Sequence, residues 1–451
     1  MQNFSSTLFK LWFPIALQQL IFAALNLLTV MFVGQLGETA VAAVGLANQV
    51  SFLFQLLLFG IGSGAAIFVA QFWGMRDLVN IRRVLGIALA LSLTGASVFA
   101  FSAFAFPDHI LALYSNDRAV IALGAVYLKI LAPSYLAMAI SASYAMTLRS
   151  TGNVRVPVTI NITATLVGAG LNYALIFGEW GLPKFGVIGS AVSANIARWS
   201  ECLILLALIY ATRSVVAARA RELFAFDRAF TANIFKTILP VTLNEIFWSL
   251  GITTYSAIFC RVGTDAIAAV NIAGTIEMLA FVPFVGMANT AAIMIGHRIG
   301  ADEEHRAFEY AKRFLIIVLI LGALIGSAIF FSADWILGFY KIDATTRAFA
   351  REVLTIMAFA LWIKCGNMIC IVGILRAGGD ARVSAIIDVA PLWLIGIPLA
   401  AIGAFILGLP APVVYLLTIS DELTKFILAA IRVASKKWIT NLARQHSDRA
   451  S

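Results

Sequence analysis

Long apolar stretches, separated by short polar segments, run along almost the whole chain. Apolar runs of at least about 18 residues are typical of membrane-spanning helices, because about 20 such residues cross the hydrocarbon core. The first run is longer than the roughly 7–15 residue core of a signal peptide, so we expect it to be retained as a helix. The pattern predicts an all-α polytopic membrane protein with twelve transmembrane helices, near residues 11–33, 44–72, 84–106, 121–147, 156–178, 187–211, 238–259, 266–296, 314–337, 349–375, 383–406 and 410–433.

The composition agrees with this pattern. Of the 451 residues, 61% are hydrophobic and 12% are charged, whereas a soluble domain carries about 25% charged residues. Soluble enzymes, DNA-binding modules and secreted disulfide scaffolds are therefore excluded. The cysteines lie in or next to apolar stretches without the spacing of a zinc site, which indicates packing roles for Cys202, Cys260, Cys365 and Cys370.

Basic residues are distributed unevenly between the two sides of the predicted bundle. The two tails and the even-numbered loops hold 22 Lys and Arg residues, and the odd-numbered loops hold 6. By the positive-inside rule, both termini are predicted to be cytoplasmic, in a multi-pass protein of the cytoplasmic (inner) membrane. Topology and anionic lipid then explain the net charge of +9, and no nucleic-acid partner is expected.

An internal repeat relates the two halves of the chain. At an offset of 226 residues, Leu8–Asp77 aligns with Ile234–Glu303 without a gap and with 16 identities in 70 positions. At an offset of 227, the predicted loop residue Arg149 aligns with Arg376. Because each half has an even number of helices, we expect a pseudo-two-fold axis along the membrane normal. The predicted domains are two six-helix lobes at 1–211 and 238–433, a basic cytoplasmic linker at 212–237 and a basic cytoplasmic tail at 434–451.

Two such lobes are typical of a secondary transporter, which binds its substrate near the midplane and alternates access as the lobes rock. A channel or a membrane-embedded enzyme is also compatible with the architecture. Five short segments, in this order, resemble those of the multidrug and toxic compound extrusion (MATE) family, and the resemblance covers nearly the whole chain. They are Pro14, FVGQLG at 32–37, AAVGLA at 42–47, LRSTGN at 148–153 and GVIGSA at 186–191.

The resemblance implies a secondary active antiporter that exports organic, often cationic compounds in exchange for H⁺ or Na⁺. Its partners would be small organic molecules and membrane lipids, and we expect a monomer that needs no cofactor besides the coupling ion. One departure concerns the first helix, where the family commonly places an aspartate and this chain has Thr29. This departure argues against a cation site in the first lobe that depends on that aspartate.

Charged residues within the spans are the main functional candidates, since each costs about 2.5–3.5 kcal/mol at the bilayer centre. Five of the six acids among them lie in the second lobe, and at repeat-equivalent positions the first lobe has neutral polar residues. Gln19 corresponds to Glu245, Ser51 to Glu277, and Asn161 to Asp388. The asymmetry predicts a site for the coupling ion and for cationic substrates in the second lobe, formed by Glu245, Asp388 and Glu277.

A stripe at helical spacing places Glu245, Trp248 and Tyr255 on one face of the seventh helix. A counter-charge beside aromatic faces suits a hydrophobic cation, although Glu245 could instead hydrogen-bond a neighbouring helix while Trp248 faces lipid. We expect further residues to line the same substrate cavity, namely Asn244, Trp393, Asn161 and Gln19.

Asp388 and Glu277 could each have a structural role instead of a role in cation binding. Asp388 precedes Pro391 and Pro398, and proline frees carbonyl groups that can bind a cation or a neighbouring helix. Asp388 could therefore also lock a helix joint. Glu277 could pair with Lys364.

Four other charged residues within the spans have predicted intrahelical partners. Arg198 and Glu201 are three residues apart, and Asp421 and Lys425 are four apart, so both pairs are predicted to be structural ion pairs. Glu422 has no predicted intrahelical partner.

Other classes of function find little support in the sequence. No Walker motif, zinc site or catalytic triad occurs, which argues against an ATP-driven transporter or an enzyme, and no metal ligands are expected among His109, His297, His305 and His446. A flippase for lipid-linked precursors remains the main alternative, and it predicts a basic cavity. A membrane-embedded enzyme is the less favoured one.

Overall fold

The computed structural model describes residues 4–225 and 227–445. The remainder of the predicted tail, including His446, lies outside the described residues. Sixteen α-helices occur in this part of the chain, and three short π-helical segments occur at Ile369–Leu375, Leu392–Gly396 and Ile402–Ile406. The α-helices are α1 Phe4–Gly34, α2 Glu38–Gly74, α3 Leu78–Ala105, α4 Pro107–Ala112, α5 Arg118–Leu131, α6 Ser134–Ser150, α7 Arg155–Phe177, α8 Val187–Ala211, α9 Ala220–Leu223, α10 Arg228–Val262, α11 Thr264–Gly300, α12 Glu304–Leu337, α13 Ala344–Met368, α14 Ala381–Pro391, α15 Ile397–Ala401 and α16 Ala411–Ala434.

These helices correspond to the twelve predicted spans. Among the described residues, nine helices are long and apolar enough to cross a membrane, or ten if the pair α5 and α6, bent by 50°, is one span. The bend lies at Pro133, which has no backbone N–H to continue the helix. The two other long helices, α10 and α16, are more polar because they carry acidic residues in their middle. The predicted all-α fold with twelve helices in two lobes is confirmed.

Aspartate side chains cap the amino-terminal ends of several helices. Asp77 accepts a hydrogen bond from the Asn80 backbone N–H at 3.1 Å, and Asp343 accepts one from the Thr346 N–H at 2.7 Å. Such caps satisfy N–H groups that have no partner within the helix. Outside the spans, the hydrogen bond from Thr346 holds the pKa of Asp343 below its ordinary value.

The chain divides into two compact units. We call Phe13–Val69 with Asp77–Ile238 the amino-terminal unit, and the described parts of Met1–Trp12, Ala70–Arg76 and Leu239–Ser451 the carboxyl-terminal unit. In the amino-terminal unit, the fully buried rings of Phe54 and Tyr135 pack with their centroids 5.0 Å apart. Large apolar side chains such as Phe101 stay exposed, as expected for a surface that faces lipid.

The segment that follows α16 packs firmly within the carboxyl-terminal unit. The Trp438 side chain is fully buried, and its Nε1 donates to the Val433 carbonyl at 2.9 Å. Its ring lies against Gly378, where a methyl group would overlap it. The sequence predicts a basic tail here, and the described part of that tail is docked.

Gln71, near the end of α2, joins this docked segment to the loop before α14. The side chain is fully buried, and its Nε2 donates to the carbonyls of Ala377 and Thr440, both at 3.1 Å. Its Oε1 accepts from the backbone N–H of Leu442 at 2.8 Å and of Ala443 at 3.4 Å. A single amide therefore satisfies four backbone groups, which fixes the position of residues 440–443.

Candidate functional site

Charged side chains, four buried and four half-buried, meet in the carboxyl-terminal unit from five α-helices and from the turn after Ile369–Leu375. We call the set of eight residues the charge network. It contains five carboxylates and three cationic groups, namely Glu245, Glu277, Asp388, Asp421 and Glu422 with Lys364, Arg376 and Lys425. The network therefore has a formal charge of −2 when every group is ionised.

Glu245 forms an ion pair with Arg376. The Arg376 Nη2 lies 2.9 Å from the Glu245 Oε1, and both residues are buried. Arg376 follows the π-helical segment Ile369–Leu375, and its backbone N–H bonds the carbonyl of Ile371, five residues earlier. By the predicted spans, Arg376 would lie in a cytoplasmic loop, so its role as the partner of Glu245 is not predicted from the sequence. The available signal was its repeat equivalence to Arg149, since both arginines follow a leucine and precede a glycine turn.

Lys425 lies at the centre of three carboxylates. Its Nζ is 3.0 Å from Asp421 Oδ2, 3.3 Å from Glu422 Oε1 and 3.6 Å from Asp388 Oδ1. We call these four residues the Lys425 cluster. The predicted contact between Asp421 and Lys425 is present, but the expectation that Glu422 lacks an intrahelical partner is wrong. A turn of helix places Glu422 three residues before Lys425, which is close enough for a contact.

Each acid of the Lys425 cluster has a second, uncharged partner on another helix. The Asn244 Nδ2 donates to Asp388 at 2.9 Å, the Asn367 Nδ2 donates to Glu422 at 2.7 Å, and the Tyr255 hydroxyl donates to Asp421 at 3.2 Å. Of these three, Asn244 and Tyr255 are among the residues expected at the site, and Asn367 is not.

The π-helical segment Leu392–Gly396 shapes this region. It begins directly after Pro391, whose missing N–H interrupts the regular bonding of the helix. At its end, Gly396 lies against the Tyr255 hydroxyl and the Asp421 side chain, and a methyl group there would overlap both. Glycine is thus required for α14 and its continuation to approach the acidic side of α16.

Glu277 forms the ion pair with Lys364 that the sequence offered as its alternative role. Its Oε1 lies 2.6 Å from the Lys364 Nζ, and the same ammonium lies 5.9 Å from the centre of the Tyr415 ring. Lys364 also interacts electrostatically with Glu422. Glu277 is therefore connected to the Lys425 cluster through a lysine.

The two tryptophans expected at the site are half-buried. Trp393 donates from Nε1 to the Phe247 carbonyl at 3.1 Å, which ties the π-helical segment after Pro391 to α10. Trp248 lies on the same helix as Glu245 and Tyr255.

A related but more neutral arrangement occurs in the amino-terminal unit. The Gln18 Nε2 donates to Asn161 Oδ1 at 2.7 Å, and the Asn161 Nδ2 donates to Glu201 Oε1 at 2.7 Å. Arg149 donates to Gln18 Oε1 at 3.0 Å, and Arg198 lies 3.3 Å from Glu201 in the predicted ion pair. This chain of contacts holds one carboxylate and two guanidinium groups, in contrast to the acidic charge network.

The equivalence between the two arrangements extends to individual contacts. At the repeat offset of 226, Gln18 corresponds to Asn244, so the contact from Gln18 to Asn161 matches the contact from Asn244 to Asp388. The expected residue was Gln19, which is half-buried one position later. Helix periodicity alone could not decide which of the two adjacent glutamines points to α7.

No group of three or more His, Cys, Asp or Glu side chains that could hold a metal ion occurs among residues 4–225 and 227–445. The candidate site is formed by the charged and amide side chains described above.

Comparison with known proteins identifies the architecture. A family model described as MatE matches residues 14–174 and 240–402, one segment in each half of the chain. This chain belongs to the MatE family. The resemblance to multidrug and toxic compound extrusion proteins is thereby confirmed, and the protein is a multi-pass membrane transporter of the multidrug efflux class rather than an enzyme.

Curated relatives extend over most of the chain. The chain is 25% identical over 390 residues to the probable multidrug resistance protein YoeA of Bacillus subtilis, which covers 86% of this chain and 84% of that protein. It is 23% identical over 419 residues to the probable multidrug resistance protein NorM of Thermotoga maritima, with 90% and 87% covered.

Solved structures share the fold. A mutant of the Vibrio cholerae MATE transporter VcmN superposes with a TM-score of 0.88 at 19% sequence identity and covers 98% of both chains. A transporter of the MOP superfamily from Pyrococcus furiosus, whose binding pocket is described as reversed in polarity, superposes with a TM-score of 0.86 at 19% identity.

Proposed function

We propose that this MatE transporter exports organic, often cationic compounds in exchange for H⁺ or Na⁺, and that the charge network is the coupling site. One observation carries the proposal. In the charge network, five carboxylates meet three cationic groups. A site with excess negative charge in a low-dielectric medium attracts cations, because bare charge is costly there.

Exchange follows from competition for the same carboxylates. A coupling ion that enters from outside reduces the negative charge of the network, and an organic cation that arrives from the cytoplasm needs the same negative charge. Linkage requires each of the two ligands to weaken the binding of the other by the same factor. Alternating access then converts this competition into export.

The main alternative is a flippase for lipid-linked precursors, which needs cationic groups free to bind phosphate. Lys364, Arg376 and Lys425 each lie within 3.0 Å of a carboxylate oxygen. The net charge of the network repels a phosphate group, which favours cation export over lipid transfer.

The difference in charge between the two lobes provides a test of the proposed coupling site. In proteoliposomes with pH and Na⁺ gradients imposed separately, we expect ethidium efflux to respond to at least one gradient. Asp388→Asn should reduce this efflux by about tenfold or more, because a loss of about 1.4 kcal/mol of cation binding already gives that factor. The matched variant is Asn161→Ala at the repeat-equivalent position, and a smaller loss is expected there. Equal losses at equal reconstitution would argue against a coupling site in the second lobe.

The relatives named above are bacterial, and we propose that the protein lies in the cytoplasmic membrane with both termini in the cytoplasm. Single cysteines introduced at Lys184 and Lys341 should react with an impermeant maleimide in intact cells, and those at Arg219 and Arg444 should not. The exposed Cys260 must first be replaced by serine. The reverse labelling pattern would invert the topology.

A further inference from the structure

The five carboxylates of the charge network differ in the chemistry of their partners. Glu245 is paired with the guanidinium of Arg376 at 2.9 Å. An arginine side chain donates hydrogen bonds only and stays protonated in proteins. A proton on Glu245 would therefore leave a buried guanidinium without its counter-charge, so this pair keeps both of its charges. Glu277 is held similarly by Lys364 at 2.6 Å.

The Lys425 cluster is different, because three carboxylates share one ammonium. An ammonium group has three N–H donors and one positive charge. Lys425 therefore contacts all three acids but neutralises only one negative charge. Since Glu245 with Arg376 and Glu277 with Lys364 are balanced pairs, the whole excess of −2 belongs to this cluster. Lys425 is only 2% exposed and Asp421 only 1%, so water does not screen that excess well.

The uncharged partners of the three acids fit both protonation states. An amide donates through nitrogen to a carboxylate and accepts through oxygen from a carboxylic acid, and a tyrosine hydroxyl also does both. Asn244, Asn367 and Tyr255 fill these positions on Asp388, Glu422 and Asp421. The ion-pair partners of Glu245 and Glu277, in contrast, are cationic groups that only donate, although the Asn244 side chain also interacts with Glu245.

Two buried amide oxygens point independently to a missing donor. Asn244 and Asn367 are 2% and 4% exposed, and the Oδ1 atom of each has no hydrogen-bond partner among the described residues. Buried acceptors are rarely left in this state. If Asp388 carries a proton, rotation of the Asn244 amide by a half-turn brings its oxygen to the new O–H group. The Asn367 amide is held in its present orientation by a second bond, from Nδ2 to the Glu422 backbone carbonyl at 2.8 Å.

We propose that Asp388, Asp421 and Glu422 form a two-charge exchange centre around Lys425, which holds two protons, or one proton with one organic monocation, or one organic dication. The inference rests on the proposed function and adds a substrate class, because organic dications become substrates alongside monocations. Each bound state leaves the cluster neutral. Binding of a monocation thus releases one proton to water, and binding of a dication releases two.

Ethidium and propidium provide a matched pair of probes. They share the phenanthridinium ring, and propidium carries one additional quaternary ammonium, so neither probe contributes a proton of its own. For the purified transporter in detergent, calorimetry in buffers of different ionisation heat counts the protons released. We expect about one proton for each ethidium and about two for each propidium. Equal proton release with both probes would overturn the proposal.

Substitutions in the Lys425 cluster test whether the protons released on propidium binding come from its three acids. Asp388→Asn and Glu422→Gln should each lower the release with propidium to about one proton, and the second variant serves if the first does not fold. The matched control is the ion pair of Arg198 and Glu201 in the amino-terminal unit, which lies outside the charge network and is replaced as a pair by glutamines. That double variant should still release about two protons with propidium, and a fall to one would contradict the assignment of the protons to the Lys425 cluster.

Further outcomes of these experiments distinguish H⁺ from Na⁺ and test the exchange centre separately from the proposed transport function. If probe affinity falls with Na⁺ at constant pH and no protons are released, the charges exchanged are Na⁺ and the proton assignment is wrong. Gradient-driven efflux together with a single proton for propidium would refute the exchange centre alone. Two protons on propidium binding, without any efflux driven by a gradient, would refute the proposed transport function alone.

Discussion

Replacement of Lys425 with methionine is expected to lower the free energy of unfolding by about 3–5 kcal/mol, because removal of one member of a buried ion pair leaves its partner uncompensated. Here the effect concerns three carboxylates within 3.6 Å of the lost ammonium. Methionine has a similar length, so the change removes charge and leaves most of the packing. Thermal unfolding in detergent measures the loss.

The pH dependence of the free energy of unfolding distinguishes the effect of the lost charge from the effect of altered packing in the Lys425→Met variant. Protons that bind to the three acids replace the missing positive charge, so the deficit relative to the wild type should shrink as the pH falls. Lys364 remains close to Glu422 and limits the deficit without removing it. A control, Lys341→Met in an exposed loop position, should stay within about 0.5 kcal/mol of the wild type. A deficit that is independent of pH would show that Lys425 acts through packing alone.

Replacement of Trp438 with alanine should also cost about 3–5 kcal/mol, since it removes a fully buried indole and leaves a cavity. The indole N–H bond to Val433 is lost as well. We expect faster amide exchange in residues 436–445, which dock around this ring. The matched control is Trp335→Ala, the same change at a side chain that is 70% exposed, and its effect should be within about 0.5 kcal/mol. Similar effects of both changes would show that the segment contributes little to stability.

The sequence predicts the helices well because their signal is local. Each span is a predominantly apolar run, and the structure places one or more consecutive helical segments at every one of the twelve positions. The breaks also have local causes, as at Pro133 and Pro391. Even the acidic character of the second lobe can be read from the sequence, since it depends only on a comparison of residues at a fixed offset.

The partners within the site are harder to predict, because they depend on distances between helices. Arg376 looks like a loop residue in the sequence, and the π-helical turn before it carries it to Glu245. Likewise, Asn367 becomes a partner of Glu422 across 55 residues of chain. The choice of Gln18 over Gln19 depends on a rotation of α1 that periodicity does not fix.

The position of Gln71 has a consequence for the biosynthesis of the protein. Its amide lies on α2, but three of the four backbone groups that it contacts belong to residues translated about 370 positions later. Domains generally begin to fold from the amino terminus during synthesis. Throughout translation of the intervening helices, this amide must therefore find provisional partners in lipid headgroups or water. These three contacts can form only after residues 440–443 have emerged from the ribosome, so the buried environment of this amide is completed late in synthesis.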